Sequence, residues 1–362
     1  EARYAILELW ITRCIRGGKK GFCPNISFIR SVGDMRERIE DFLDRTERVQ
    51  LLAAPTPLHA LSGFSEYKDV QAYIKRDDMT GLGPGGNKVR SLEYILGEAV
   101  SIGCKKILAA GPVQSNLCTL TAAACARLGL ECELVHNGEE PEKKEGNLLL
   151  NGLLGTVSHF LGSCDSSERN AYTEELAASY EKAGIPSYVV RNGATTGRGA
   201  LGYTAAVREM KRQCEEMQIH NMTIFAPGGN GGVAAGLIYG NEMLGRPFRI
   251  VIISVEDDRD TLIRHIEKTI HETEKITGIT MEAAVEETAE ISDLYRGAGW
   301  GMDTRESKEE ILRFSRQEGI FIENIYNSKV VVGMKDWIRK GKAKGAVCYL
   351  HTGGFGSLFA QY

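Results

Sequence analysis

The chain has 362 residues, 43% hydrophobic and 25% charged, the make-up of an ordinary folded protein with room for two domains or one large α/β unit. Its 44 Lys and Arg stand against 48 Asp and Glu, and the resulting net charge of −4 argues against a nucleic-acid binder. No apolar run approaches a membrane span, and the seven histidines include no His-x-x-x-His pair, so neither a membrane partner nor a metal site is expected.

Residues 1–33 begin with the apolar run Tyr4 to Ile11, followed by Arg13, Arg16, Lys19 and Lys20. This is the reverse of a signal peptide's order, and the segment has no assignable role. A helix is expected over 34–52, with Met35, Ile39, Phe42 and Leu43 on one face. Ala54-Pro55-Thr56-Pro57-Leu58 is extended. Gln71 to Lys75 reads as a strand running into Asp77-Asp78-Met79-Thr80-Gly81-Leu82-Gly83-Pro84-Gly85-Gly86-Asn87-Lys88. A helical pattern leaves this loop through Val89, Leu92, Ile95, Leu96, Ala99 and Val100. A single lysine therefore sits where a glycine-rich loop becomes a helix. There it can be a solvated surface group or an amine that traps a carbonyl compound.

Strands and helices then alternate. Strands are expected at 105–110, 132–136, 157–161, 188–190, 222–226, 249–255 and 347–350, the run 249–255 being covered on both faces. Helices are expected at 117–128, 167–183, 233–244 and 262–276, with a capping box of Ser307 and Glu310 before Ile311. Nine cysteines run from Cys14 to Cys348 without a Cys-x-x-Cys pair. They read as reduced structural thiols of a cytoplasmic protein. The alternation means an α/β fold with an open parallel sheet and helices on both faces, whose ligands bind beyond the carboxyl ends of the strands. The loops carrying Lys88, Ser115-Asn116, Gly228 to Gly232 and Thr352 should meet in one crevice there.

Gly228-Gly229-Asn230-Gly231-Gly232 joins a strand to a helix with almost no side chains, so its N–H groups can cup a phosphate. A bare tight turn is the simpler alternative. Gly229 to Ala234 also matches Gly-x-Gly-x-x-Ala, with Glu256 ending the next strand as a ribose partner. A dehydrogenase binding NAD(P), or a plain nucleotide-binding module, thus competes. Both leave Lys88 and the Ser-Asn loop without work. Pyridoxal 5′-phosphate uses them all: an aldehyde for the lysine, a phosphate for the cup, a hydroxyl for Asn116 and a ring nitrogen for Thr352.

In order along the chain stand Pro55-Thr56-Pro57-Leu58, Ile74-Lys75-Arg76-Asp77-Asp78 with Gly85-Gly86-Asn87-Lys88, Gln114-Ser115-Asn116, Gly146-Asn147-Leu148-Leu149-Leu150, the glycine cup and His351-Thr352-Gly353-Gly354. From about residue 47 to the end, the chain resembles the D-cysteine desulfhydrase and 1-aminocyclopropane-1-carboxylate deaminase family of fold-type II pyridoxal-phosphate enzymes. The resemblance implies two open, mostly parallel twisted sheets with flanking helices. It also implies a large cofactor-binding domain from 34–90 and 201–362, a small domain at 91–200, and a homodimer acting on a small amino acid.

By the same resemblance, Lys88 would attach the cofactor and shuttle the substrate α-proton. Ser115 would work beside the substrate as nucleophile or acid–base group, and Tyr326 would approach it. Asn116 would hold the cofactor hydroxyl, Gly228, Gly229, Asn230, Gly231 and Gly232 the phosphate, and Thr352 would lie by the ring nitrogen. Sulfide release from D-cysteine or a related β-substituted amino acid is the expected reaction, with ring-opening deamination second. Leu117 stands where the family usually has histidine, and Trp300 where a second tyrosine is common. Asn230 and Val233 replace cup hydroxyls.

Overall fold

The structure, a computed structural model, describes residues 26–360. Most of the amino-terminal segment of unassigned role, residues 1–25, lies outside the described residues. In chain order the elements are α1 (Ile26–Arg45), β1 (Leu58–Ala60), β2 (Val70–Arg76), α2 (Lys88–Ser101), β3 (Lys106–Ala110), α3 (Asn116–Leu128), β4 (Glu131–His136), α4 (Gly146–Leu153) and β5 (Val157–Phe160). Then come α5 (Ser166–Lys182), β6 (Ser187–Val190), α6 (Gly197–Glu216), β7 (Thr223–Gly228), α7 (Gly232–Met243), β8 (Arg249–Ser254) and α8 (Arg259–Thr277). Last are α9 (Val285–Thr288), β9 (Ala289–Ser292), α10 (Arg305–Glu318), α11 (Asn327–Arg339), β10 (Gly345–His351) and α12 (Phe355–Leu358).

The strands form two sheets, as the family resemblance implies. A six-stranded sheet has the order β1-β2-β10-β7-β8-β9, and a four-stranded sheet the order β5-β4-β3-β6. Every pairing is parallel except that of the short edge strand β1 with β2. The large sheet is buried on both faces, and alternate residues of its central strands serve different cores. Ile224, Ile250, Ile252 and Cys348 join one cluster with α6 and α7. Phe225, Val251, Ile253 and Tyr349 join the other with α10 and α11. The small sheet packs Ile107, Ala109 and Leu134 against α2 and α3, where Cys118 and Cys125 are fully buried in the core.

Two expected helix boundaries are corrected. The first helix ends at Arg45, because the chain beyond it is captured by α2: the Glu93 carboxylate accepts from the N–H groups of Leu51 and Leu52, both at 2.8 Å. The capping box before Ile311 is made by Thr304 and Ser307. Ser307 is the third residue of that helix, and Glu310 lies inside the fold, paired with Lys335 at 2.5 Å.

The charged residues that precede the lysine loop form a buried network that holds it. Arg90 Nε donates to Asp77 Oδ2 at 2.8 Å, and Arg90 Nη2 to Glu209 Oε1 at 2.9 Å. Lys75 also pairs with Glu209 and donates to the Thr56 carbonyl at 2.6 Å. Tyr203 donates to Asp77 Oδ2 at 2.7 Å. Removing one partner would strand a buried charge at a cost of roughly 3–5 kcal/mol. The Pro55-Thr56-Pro57 and Lys75-Arg76-Asp77 motifs are thus the fastening of the loop to β2 and α6.

Candidate active site

Lys88 is the first residue of α2. Its loop can turn this tightly because Gly85 has φ +74 and a Cβ there would lie 1.8 Å from the Asp78 carbonyl oxygen. Asn87 N–H donates to the Thr352 carbonyl at 3.0 Å, and Gly86 bridges Gly353, so the first and last site loops are joined directly. Lys88 Nζ donates to the Gly193 carbonyl at 2.7 Å. Burial pushes its amine down to about 8, against a smaller upward pull from the Glu256 carboxylate. A neutral amine is therefore accessible near neutral pH, as a nucleophile or base requires.

Ser115 is the N-cap of α3, its Oγ accepting from Cys118 N–H at 3.3 Å. Asn116 begins the helix. Its Oδ1 accepts from Asn147 Nδ2 at 2.8 Å, which leaves its own amide N–H₂ free to donate. Asn147 N–H and Nδ2 also bond Gln114 Oε1 and the Gln114 carbonyl, at 2.8 and 3.0 Å. The Gly146-Asn147 motif is thus the brace of the Ser115 loop.

The cup follows β7. Gly231 is the N-cap of α7 with φ +88, and no side chain caps the helix, so its first N–H groups are left for another acceptor. Gly228, the last residue of β7, lies beneath the cup; Gly229, Asn230, Gly231 and Gly232 form its surface. Facing it is a loop that the sequence reading passed over. It contains Asn192, Gly193 and Thr195, and a Cβ on Gly232 would come within 3.0 Å of Thr195 Oγ1. Its signal was present in Thr196, which caps α6 through a bond from Gly199 N–H at 3.0 Å.

Tyr326 enters from the N-terminus of α11. Buried Glu323 accepts from the N–H groups of Ile325, Tyr326 and Asn327 there. Trp300 Nε1 donates to the Tyr326 hydroxyl at 2.7 Å. Burial holds the phenol well above its ordinary range, with the Trp300 bond pulling the other way. Lys329 anchors the tryptophan loop by donating to the carbonyls of Arg296 and Gly299 at 2.7 and 3.1 Å. Thr352 N–H and Oγ1 both bond Asn327 Oδ1, at 3.0 and 3.2 Å.

Lys88, Ser115, Asn116, the cup surface, Tyr326 and Thr352 all border a single cavity of about 320 Å³. It opens between the carboxyl ends of the strands of both sheets, as α/β folds require. Glu256 lies on the same wall, beside Lys88 and Tyr326.

A family model described as "Pyridoxal-phosphate dependent enzyme" matches residues 49–353. A protein of Pyrococcus horikoshii named "Putative 1-aminocyclopropane-1-carboxylate deaminase" is 34% identical over 325 residues, 90% of this chain and 97% of its own. A crystal structure of an ACC deaminase homologue superposes with a TM-score of 0.82 at 34% identity, covering 89% of this chain and 96% of that one. Threonine deaminase isoform 2 of Solanum lycopersicum, 16% identical with a TM-score of 0.62, covers 92% of this chain and 86% of its own and shares the fold.

Proposed function

The chain belongs to the pyridoxal-phosphate-dependent enzyme family, and from that premise we propose that it is a lyase releasing sulfide, pyruvate and ammonia from D-cysteine or a related small β-substituted amino acid. The residues present fit the cofactor. Lys88 offers a weakly basic amine, the uncapped start of α7 offers N–H groups to a phosphate, and Asn116 has an amide free to donate to a ring hydroxyl. Thr352, held by Asn327, would stand at the ring nitrogen. The chemistry the cofactor supplies when bound is withdrawal of electrons from the substrate Cα.

The observation that carries the choice of reaction is the bond from Trp300 to Tyr326. Lys88 Nζ takes the α-proton; the Cα–Cβ double bond forms as the Cβ–S bond breaks, and sulfur leaves with a proton. Tyr326 keeps its own proton because burial opposes the phenolate and outweighs the opposite pull of the indole N–H bond, which orients the hydroxyl. It serves as a donor to a leaving group. Ser115, at the head of α3, would hold the substrate carboxylate end.

Ring opening of 1-aminocyclopropane-1-carboxylate is the second reading, favoured by the names that the relatives carry. That substrate has no α-proton, so it leans on an added base or nucleophile. Indole cannot accept a proton as a second phenol could. Wild-type enzyme should therefore yield more sulfide from D-cysteine than 2-oxobutanoate from the cyclopropane acid. Trp300→Tyr should move the product ratio toward 2-oxobutanoate by about a hundredfold, at the low end of positioned acid–base effects. Side-by-side product assays decide it, and an excess of 2-oxobutanoate in the wild type would reverse the assignment.

We also propose that residues 91–200, around the four-stranded sheet, act as a small lobe that closes on the large one over the substrate. The cavity between the sheets supports this. Saturating D-alanine, which has no β leaving group, should shrink the holoenzyme's radius of gyration in solution scattering. An unchanged radius would mean fixed lobes.

A further inference from the structure

Arg169, in the first turn of α5, is a cation without a task in the chemistry above. It is 2% exposed and borders the cavity beside Asn137 and Ser166. Its Nη1 donates to Asn137 Oδ1 at 2.5 Å, while its Nε and Nη2 are buried with no hydrogen-bond partner. Buried Arg90, Lys75, Lys106 and Lys335 each have a carboxylate. Arg169 has none among the described residues; the acidic groups acting on it are the thiols of Cys118 and Cys164. The Cys118 thiol is itself pushed up to about 12 by burial, so it is neutral. A guanidinium stays protonated even when buried, and a buried unpaired charge is costly. Such a group is retained where an anion completes it.

The anions already accounted for have other receivers. On the reading above, the phosphate would go to the cup on the six-stranded sheet, and the amino-acid carboxylate to the head of α3 at Ser115. Arg169 rises from α5, which packs across β6, β3 and β4 of the four-stranded sheet. We propose that Arg169 and Asn137 form a second anion subsite, which takes an oxyanion carried on or beyond Cβ of the substrate. This rests on the amino-acid lyase reading and extends its substrate class to amino acids whose β-substituent is itself negatively charged. The free N–H groups are shut off from solvent in the structure, so the anion enters as the Asn137 contact opens.

The test has two arms. In the first, thermal denaturation of the holoenzyme is followed with succinate or propionate at matched ionic strength. Succinate should raise Tm clearly more than propionate, and Arg169→Gln should abolish the difference while Arg169→Lys keeps part of it. Equal shifts in the wild type overturn the proposal, even if Arg169→Gln fails to fold. In the second arm, pyruvate release is compared for O-phospho-D-serine and O-acetyl-D-serine. The wild-type KM should be lower for the phosphorylated substrate by about tenfold or more, as expected of charge-assisted hydrogen bonds. Arg169→Gln should raise that KM selectively. Equal wild-type values, or a variant that shifts both substrates alike, overturn it. Absence of any sulfide or pyruvate would refute the lyase reading, whereas the succinate arm still judges Arg169.

Discussion

Lys88→Ala is expected to abolish borohydride-stable attachment of pyridoxal phosphate and to lower turnover by about 10³-fold or more, within the upper range of positioned proton transfer. The wild-type protein should be yellow, and peptide mapping after borohydride should find the label on Lys88. The lowered basicity of this amine adds a pH signature. An ordinary lysine at 10.5 is about 0.1% neutral at pH 7.5, whereas one at about 8 is roughly a quarter neutral. The neutral form attacks the aldehyde. Capture of the cofactor by apoprotein should therefore accelerate as pH rises through about 8 and then level off. Glu256 raises the Lys88 value, so Glu256→Gln should move the midpoint lower. A midpoint near 10.5 in the wild type would show that the cavity does not desolvate the amine. A colourless protein retaining a nicotinamide nucleotide would overturn the cofactor role of Lys88 altogether.

Gly231→Val should lose the cofactor, seen as loss of yellow colour after gel filtration, while Asn230→Ala should be mild because backbone N–H groups form the cup. Added bulk does not invade the cup: a Cβ at Gly231 would meet His265 and Ile266 of α8 at 3.2–3.3 Å. The cost lies in φ +88, which a β-branched residue resists by about 1–2 kcal/mol or more. Valine would turn the peptide and re-aim the N–H groups at the head of α7. Gly231→Asn should therefore retain more cofactor than Gly231→Val, since asparagine tolerates the left-handed region. Equal retention in wild type and Gly231→Val would remove the cup from phosphate binding.

The division between sequence and tertiary structure follows the range of the forces. The β-branched run 249–255, the alternation of Phe225 with Ile224, and the glycines around Lys88 carry their meaning within a few residues. Strand, helix and loop were legible there because burial period and backbone freedom are local properties. The cup and the Ser115 loop were legible for the same reason, since each is one strand–helix junction.

What the stretches could not contain were bonds made across the chain. Lys88 meets the Gly193 carbonyl 105 positions away, and no pattern near either residue announces it. Glu93 captures Leu51 and Leu52, past the end of the first helix, from 42 and 41 positions away. Glu310 suited a capping box by spacing, yet a buried ion pair with Lys335 claimed it. The unpaired Arg169 and the indole bond to Tyr326 likewise exist only once two sheets bring their strand ends to one cavity. The sequence by itself determined the elements, the family resemblance and the loops that border the cavity. The tertiary structure alone decided the partners of each charged or polar side chain, because desolvation and pairing depend on what the fold places around a group, and a residue's chain neighbours do not reveal that.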